Sequence, residues 1–395
     1  SNIGYKPLGD QTSILDVSLQ AQNLDSGVYV LPKFSFVNLG AAGYYTLEDI
    51  TFEKVESTVL EDLEVNYSIL HQGSLKEALF TAAGEGYETI TLIDSYTSPQ
   101  VKKTAKNISD EQFIADNTFN VYVKSNVTGN WAQWTETASL FLEAPSNTCY
   151  EKRLNHDGNY EFKFGDNNNG FALREGDTVA VFYIVSDNES GLVGNGSTNG
   201  SNFNLFNTAV FTEIKEQLYV DVNTIVPTTL PTITLNNEYA STPIKLAESV
   251  EDIRNNVSKI FASQDRLVSK TDYEAHVDRN FGNITRPVKV LSNQDYTSQV
   301  LFYFNNIGVK RGIDDARTLL SQVNFSTSTN FNNIYIYTVR TNQPVIDERI
   351  PHYLNEGQKK LIAEYCKKKK DITHNVVISD PIFKAFSFGV GEVTE

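Results

Sequence analysis

The chain reads Tyr-Glu-Phe-Lys-Phe-Gly-Asp-Asn-Asn-Asn-Gly-Phe from Tyr160 to Phe171, and this stretch decides the fold. Apolar and polar side chains alternate over Tyr160–Phe164, which is the two-residue period of a strand with one apolar face. Gly165 and Asp166 end the strand, and the three asparagines and Gly170 that follow tolerate left-handed backbone angles. The sequence therefore predicts a strand followed by a structural turn that contains Gly165, Asp166 and Gly170.

A second strand is predicted after the turn. Val179–Val185 carries apolar or aromatic side chains on both faces, which is typical of a strand buried on both sides. We expect this strand and the first one to be connected as a hairpin-like return. The polar, glycine-dense run from Gly191 to Asn202 has little apolar surface to bury, so we expect a loosely ordered surface loop, with Gly194 as a further turn position.

Composition indicates a globular protein with an acidic surface. The chain has 395 residues, 33 Lys and Arg against 49 Asp and Glu, and a formal net charge of −16. Such a charge repels phosphate backbones and anionic lipids, and no window approaches the roughly 18 consecutive apolar residues of a membrane span. We therefore expect neither a nucleic-acid nor a membrane partner. No signal-peptide pattern is visible, so Cys149 and Cys366 are expected to be free thiols in a reducing compartment; the alternative, a single long-range disulfide, needs an oxidising setting.

Length and periodicity predict three domains. Residues 1–75 read as short alternating strands, residues 76–225 as a second β-rich domain with the Phe-Gly-Asp turn, and residues 226–395 as an α+β domain. The predicted fold class is thus α+β, with two barrel-like or sandwich-like domains before the C-terminal one. The chain contains no methionine. We expect either a fragment of a longer protein or methionines that are present as a modified residue and missing from the sequence.

Local patterns predict individual elements. A short helix is expected over Ser74–Ala83, and two prolines indicate a linker over Val226–Pro231. In the last third we expect helices over Leu246–Phe261, over Asp272–Phe281 with a capping box of Thr271 and Glu274, around Asp315–Val323, and from the N-cap Asn355 to Lys367–Lys370. Strands are expected over Val288–Leu291, Val300–Phe304, Ile334–Val339, Val376–Ile378 and Phe383–Phe388. The four lysines are interpreted as cations at a helix C-terminus, favoured by the helix dipole, rather than as a partner site.

No catalytic, metal or cofactor site is predicted, and we expect the protein not to be an enzyme. The five histidines show no ligand spacing and no Cys-x-x-Cys accompanies them. Asp166–Gly170 faintly resembles a calcium loop, but its glycine is the fifth residue instead of the sixth. The glycines between 191 and 200 lack the Gly-Lys-Ser/Thr ending of a phosphate loop. A cell-wall hydrolase would need a facing pair of carboxylates, one with a raised pKa.

Trp131 and Trp134 allow two interpretations. Large aromatic side chains beside strands are more often core or interface anchors than ligand platforms. The alternative is a host-surface binding module, in which the two indoles stack on a glycan.

The order of several residues resembles the baseplate J-like family of contractile-tail proteins. The similar positions are Trp134, Tyr150, Asp157-Gly158, Phe164-Gly165-Asp166, Gly170, Tyr183 and Gly194-Asn195. Asn167 stands where the family often has glycine. Upstream, Val30–Phe36 and Tyr45–Ile50 are similar to the pattern before the family's barrel strands, and downstream Val268–Glu274 is similar to the helix that enters its C-terminal domain.

The resemblance implies a structural virion protein of a phage tail baseplate. It implies homodimers that link neighbouring wedges into a ring, accommodate rearrangement of the baseplate and contact other wedge subunits. Localisation in the virion tail, synthesis and assembly in the bacterial host cytoplasm, no small-molecule substrate and an additional N-terminal helical region in a longer parent are also implied. The alternative function remains host-surface glycan binding on a β scaffold.

Overall fold

The computed structural model describes residues 5–21, 24, 26–54, 65–84, 86–92, 112–155, 159–220, 223–224, 233–293, 295, 332–341 and 353–381. The chain separates into two compact units, Ser1–Ile253 and Arg254–Glu395. The first consists mainly of β-strands and the second combines helices with a small sheet, so the predicted α+β class is confirmed. Among the described helices, none has both the length and the apolar character needed to cross a membrane.

The strands of the first unit are β1 Ile14–Ala21, β2 Gly27–Leu31, β3 Phe36–Leu39, β4 Ala42–Thr46, β5 Ile50–Lys54, β6 Asn66–Thr81, β7 Thr89–Leu92, β8 Phe113–Ile114, β9 Asn120–Lys124, β10 Trp131–Thr137, β11 Cys149–Leu154, β12 Tyr160–Phe164, β13 Thr178–Ser186, β14 Asn223–Thr224 and β15 Ile233–Asn236. Helix α1 spans Ala209–Leu218. The large sheet has the order β15-β1-β6-β13-β9-β10-β11-β12-β7, with β4 on β6, β3 on β4 and β8 on β13; β14, β2 and β5 form a second sheet.

Strand β6 connects the two halves of the large sheet. Its first residues pair with β1, and Ser74–Thr81 pairs with β13 in antiparallel register. The predicted helix over Ser74–Ala83 is therefore wrong: the segment contains helix formers, but the ladder with β13 satisfies its backbone, and tertiary pairing overrides weak local propensity. Between the two ladders, Gly73 has a φ of 135°, and a Cβ there would lie 2.3 Å from the Val185 carbonyl oxygen. The proposed domain boundary at residue 75 falls within β6, and the three-domain division stays a prediction.

Strand β13 separates two apolar cores. Val179, Val181 and Val185 belong to one cluster, while Phe182 and Ile184 belong to the other, which confirms the predicted strand with two buried faces. The hairpin-like connection to β12 is wrong, since β13 pairs with β6, β8 and β9. Strand β12 instead lies between β11 and β7, so both of its edges are already hydrogen-bonded.

The second unit is built on β16 Thr285–Ser292, β17 Asn333–Arg340 and β18 Asn375–Ser379. β17 pairs antiparallel with β16 and parallel with β18. Helix α2 (Val250–Ser263) begins just before the division between the units, and α3 (Lys270–Phe281) and α4 (Glu356–Lys369) follow. The predictions over Val226–Pro231, Val300–Phe304, Asp315–Val323 and Phe383–Phe388 lie outside the described residues.

The capping box of α3 differs from the predicted one. Ser269 is the N-cap and Asp272 completes the box, two residues before the expected pair of Thr271 and Glu274. Glu274 instead accepts a hydrogen bond from the Val290 backbone N–H at 3.0 Å, so the carboxylate joins α3 to the sheet. Both pairs match the same spacing rule, and only packing against β16 decides between them.

The lysine run ends α4 as predicted. Lys367–Lys369 form its last turn, and Lys369 makes an ion pair with Asp265 at 2.5 Å. The Lys370 ammonium donates to the His374 carbonyl oxygen. These contacts fasten the end of α4 within its own unit.

Candidate functional site: the Phe164–Gly170 turn

The turn after β12 is closed by its own side chains. Asp166 Oδ1 accepts from the backbone N–H groups of Asn168 at 3.0 Å and Asn169 at 2.8 Å, and these donors lower the pKa of the exposed carboxyl group. Asn167 has a φ of 67° and donates from its N–H to the Gly170 carbonyl oxygen at 3.0 Å. Asparagine tolerates this left-handed conformation, which explains how the turn forms without a glycine at position 167.

Gly165 and Gly170 lie against each other. A Cβ on Gly165 would fall 2.3 Å from both the carbonyl carbon and the carbonyl oxygen of Gly170. Gly170 has a φ of 74° and lies beside Leu140 and Cys149. Both positions therefore require glycine, the first for space and the second mainly for its backbone angle.

An aromatic cluster supports the turn from inside. The Trp134 ring packs edge-on against Phe164 with a centroid distance of 5.5 Å, and Tyr150 contacts Phe164 at 6.3 Å and Phe162 at 5.8 Å. Trp134, Tyr150 and Phe164 are distant in sequence but belong to one buried core. Strand β10 carries Trp134, β11 carries Tyr150, and the turn follows the next strand in the sheet.

The two tryptophans are core residues on opposite faces of β10. Each is only 5% exposed; Trp134 belongs to the core beside the turn and Trp131 to the other core. Trp131 donates from Nε1 to Glu213 Oε2 at 3.1 Å. Because the indoles point to different cores, they do not form one exposed stacking platform.

Gly194 lies in a separate loop, which is held by hydrogen bonds to Asn237. The Asn237 side chain donates to the Gly194 carbonyl oxygen at 2.8 Å and accepts at 3.0 Å from both the N–H and the hydroxyl of Thr198. Asn237 is 1% exposed. A buried polar side chain from beyond β15 thus supplies hydrogen bonds that the loop cannot supply itself, and the expected loose order of Gly191–Asn202 stays a prediction. The structure brings Gly165, Asp166 and Gly170 together but not Gly194.

Sequence reasoning missed two polar contacts near the core. Asp116 and Lys152 form a buried ion pair at 3.1 Å, and Asp116 also accepts from the Gly9 N–H at 3.1 Å. Burial alone would lower the pKa of Lys152, but Asp116 and Glu136 outweigh it and raise that pKa. Asp177 accepts from the Arg174 N–H at 2.9 Å and closes the turn before β13. Asp177 directly after Gly176 is a local sequence signal for that turn. The ion pair of Asp116 and Lys152 has no local signal, because the two residues are distant in sequence.

Burial favours the neutral form of two histidines and of a cysteine thiol. Burial lowers the pKa of His71 and of His276 to about 4, and raises that of the Cys149 thiol to about 11. Neither cysteine forms a disulfide. Within the described ranges, no three His, Cys, Asp or Glu side chains are arranged to hold a metal ion. A protonated thiol in apolar surroundings is a poor nucleophile and a poor metal ligand. Both ring nitrogens of His276 already lie within hydrogen-bond distance of protein groups, Nε2 at 3.0 Å from the Ser263 hydroxyl and Nδ1 at 3.0 Å from the Tyr365 hydroxyl.

A surface groove of about 430 Å³ lies in the second unit beside α3 and β16. Three of the four charged side chains that line it are paired: Arg286 and Asp278 with each other at 3.0 Å, and Glu274 with Lys289 at 3.3 Å. The groove therefore lacks the set of convergent, unpaired polar groups that characterises a small-molecule site.

Comparisons with known proteins give limited similarity. No family model matches the chain, and no curated protein matches it. Among solved structures, it is similar to a chain of the anti-feeding prophage baseplate determined by cryo-electron microscopy, with 11% identity, a TM-score of 0.23 and coverage of 96% of this chain and 59% of the other. It is also similar to a chain of the TssK-TssF-TssG baseplate subcomplex of the type VI secretion system, with 8% identity, a TM-score of 0.27 and coverage of 94% and 89%. Similarity at these TM-scores establishes neither a shared fold nor a shared function.

Proposed function

We propose that this protein is a structural component of a phage tail baseplate. The observation that supports the proposal most directly is the contact between residues that resemble the baseplate J-like family: Trp134 and Tyr150 pack on Phe164, and Gly165 lies against Gly170. These residues stabilise one turn and one apolar core, and none of them carries a reactive group at the surface. Such a purely structural role is typical of a scaffold protein.

The spacing of these residues and the length of the chain resemble those of the baseplate wedge protein of T-even-like phages. On this basis we propose a homodimer that links neighbouring wedges into a ring and accommodates its rearrangement. The homodimer contact is assigned to the C-terminal domain. Helix α2 supports this assignment, because its apolar residues Val250 and Phe261 are 68% and 63% exposed.

Purified tail particles provide the test of the baseplate function. Mass spectrometry of the particles is expected to detect this chain, and gold labelling is expected to locate it at the baseplate end of the tail. Particles that lack the chain, or a label at another position, would refute the proposal.

Light scattering of the purified protein tests the homodimer. The wild type is expected at twice the monomer mass, and Phe261→Ser is expected to shift it toward the monomer. Ile372→Ser is the matched control, because Ile372 is 95% exposed in the same unit and lies outside α2. A monomeric wild type would overturn the dimer but not the baseplate function.

The alternative of glycan binding by the two tryptophans finds less support. Both indoles are buried, so a sugar would reach them only after the cores open. Binding to a glycan array that is lost in Trp134→Ala but retained in a folded variant at another core position would favour this alternative.

A further inference from the structure

A short segment of the first unit presents two large apolar side chains to solvent. Phe141 is 72% exposed and Leu142 is 83% exposed, while the preceding Leu140 is 1% exposed. The three residues form one 3₁₀ turn, which we call the Phe141–Leu142 tip. Isolated exposed apolar residues are common, but two adjacent ones beside a buried anchor indicate a contact surface.

The backbone around the tip is fixed by hydrogen bonds. The Glu143 carboxylate accepts from the Thr137 hydroxyl at 2.5 Å and from the Asn147 side chain at 2.8 Å. The Asn147 carbonyl oxygen in turn accepts from the Phe171 N–H at 2.8 Å, which ties the loop to the residue after the turn. A surface that is already ordered loses little conformational entropy when it binds.

The tip and the Phe164–Gly170 turn form one continuous surface. The Lys163 ammonium lies 4.2 Å from the Tyr87 ring centroid and 5.8 Å from the Phe141 ring centroid. Tyr87 accepts a hydrogen bond from the Asn169 side chain at 2.8 Å. Lys163 therefore orients both aromatic rings, and the turn positions one of them.

The surroundings of the tip carry uncompensated negative charge. Glu143, Glu88 and Asp166 belong to the segments that hold the tip and the turn, and among the described residues none of the three pairs with Lys or Arg. Glu88 accepts from the backbone N–H groups of Ala83 and Gly84. Asp166 accepts from the backbone N–H groups of Asn168 and Asn169 and from the Asn168 side chain. The cations of the neighbouring segments are Lys163 and Arg174, whose guanidinium group lies 5.6 Å from the Phe171 ring centroid. Three carboxylates against these two cations leave a net negative charge on the segments beside the apolar tip.

This charge distribution discriminates between partners. A second copy of the same surface would bring like charges together, which disfavours that contact. A different protein with an apolar socket and a basic rim would complement the tip in both respects.

We propose that the Phe141–Leu142 tip is a docking site for a different protein subunit, which receives both side chains in an apolar socket rimmed by Lys or Arg. This inference rests on the proposed function, because the partner subunit is expected to belong to the same tail baseplate. It does not involve the homodimer contact assigned to α2.

Photo-crosslinking in purified tail particles tests this inference. Leu142 is replaced by p-benzoylphenylalanine, and the matched control carries the same replacement at Val127, which is 71% exposed in another loop. We expect Leu142 to cross-link to a peptide of a different subunit that has Lys or Arg beside apolar residues, with little cross-linking from Val127. Cross-links to a second copy or to an acidic peptide, equal yields from both positions, or no product from Leu142 would each overturn the inference.

A serine variant tests whether the contact contributes to assembly. The double substitution Phe141→Ser and Leu142→Ser is expected to leave urea unfolding unchanged, because both side chains are exposed, and to reduce incorporation into particles by about tenfold, as loss of a hot spot does. Val127→Ser is expected to be incorporated like the wild type. Absence of the wild-type chain from particles would refute the proposed function, whereas equal incorporation of wild type and double variant would refute only the docking site. If the double variant unfolds, the cross-linking result decides.

Discussion

Replacing Gly165 by alanine tests the physical account of the turn. The new Cβ would lie 2.3 Å from the carbonyl carbon and oxygen of Gly170 and 2.5 Å from the Asn169 carbonyl oxygen. All three atoms belong to the backbone, so no flexible side chain moves aside and the turn itself must shift.

The size of the effect follows from three contributions. Overpacking in a well-packed site costs about 1–3 kcal/mol. A shift of the turn also weakens the hydrogen bond from Asn167 to Gly170, which contributes about 1 kcal/mol. The lower entropy of an unfolded alanine chain offsets up to about 1 kcal/mol. We therefore expect Gly165→Ala to lower the free energy of unfolding by about 1–4 kcal/mol.

Urea unfolding followed by tryptophan fluorescence measures this change. Both tryptophans of the chain lie in the first unit, and Trp134 contacts Phe164 directly, so the signal reports the unit that carries the substitution. Gly194→Ala is the matched control: the nearest atom to its Cβ is the Ser197 hydroxyl at 4.0 Å, and we expect a change within about 0.5 kcal/mol. A value for Gly165→Ala that is also within about 0.5 kcal/mol of the wild type would refute the account.

Three further outcomes are expected. Asn237→Ala removes the side chain that holds the loop around Gly194 by hydrogen bonds. Limited proteolysis is therefore expected to cut the variant between residues 192 and 201, where the wild type resists cleavage. Equal resistance of the two proteins would contradict this role of Asn237. Asp116→Asn removes the closer carboxylate partner of the buried Lys152 ammonium and leaves Glu136 at 3.6 Å, so it is expected to destabilise the first unit by at most about 3–5 kcal/mol. The double variant with Lys152→Met should recover part of the loss, and additive losses in urea unfolding would argue against a buried pair. The pKa of His276 is 6.5 in the unfolded protein and about 4 in the folded protein, so the unfolded state binds the proton first as the pH falls. The contribution of His276 to the free energy of unfolding is therefore complete above pH 6.5 and falls by about 2–3 kcal/mol as the pH drops to 4. His276→Gln should remove that share of the slope when unfolding of the second unit is measured from pH 7 to pH 4, and an unchanged slope would contradict the assignment.

Periodicity predicted the elements whose own side chains decide their structure. Val179–Val185 is apolar on both faces and forms the buried strand β13, and the apolar spacing over Leu246–Phe261 gives α2. The turn at Gly165–Gly170 was visible because Gly, Asn and Asp have specific local conformations. In each case the signal lies within a few consecutive residues.

Patterns failed where two segments of the chain compete for the same hydrogen bonds. The residues Ser74–Thr81 have no strong strand signal, yet they form half of β6 because β13 offers a complete ladder. The strand at Tyr160–Phe164 was recognised but its partner was not, since pairing with β11 and β7 depends on segments up to 75 residues away. Local propensity is too weak to predict such pairings.

The sequence by itself determined the acidic character of the chain, the glycine and asparagine turn after β12, the doubly buried strand and helices α2 to α4, because these properties depend on residue type and short-range spacing. Only the tertiary structure decided that Trp131 and Trp134 enter different cores, that Asn237 donates a hydrogen bond to the loop at Gly194, and that Phe141 and Leu142 remain exposed beside the turn. These facts depend on which strands become neighbours, and strand pairing is a long-range choice made by the burial of the whole sheet.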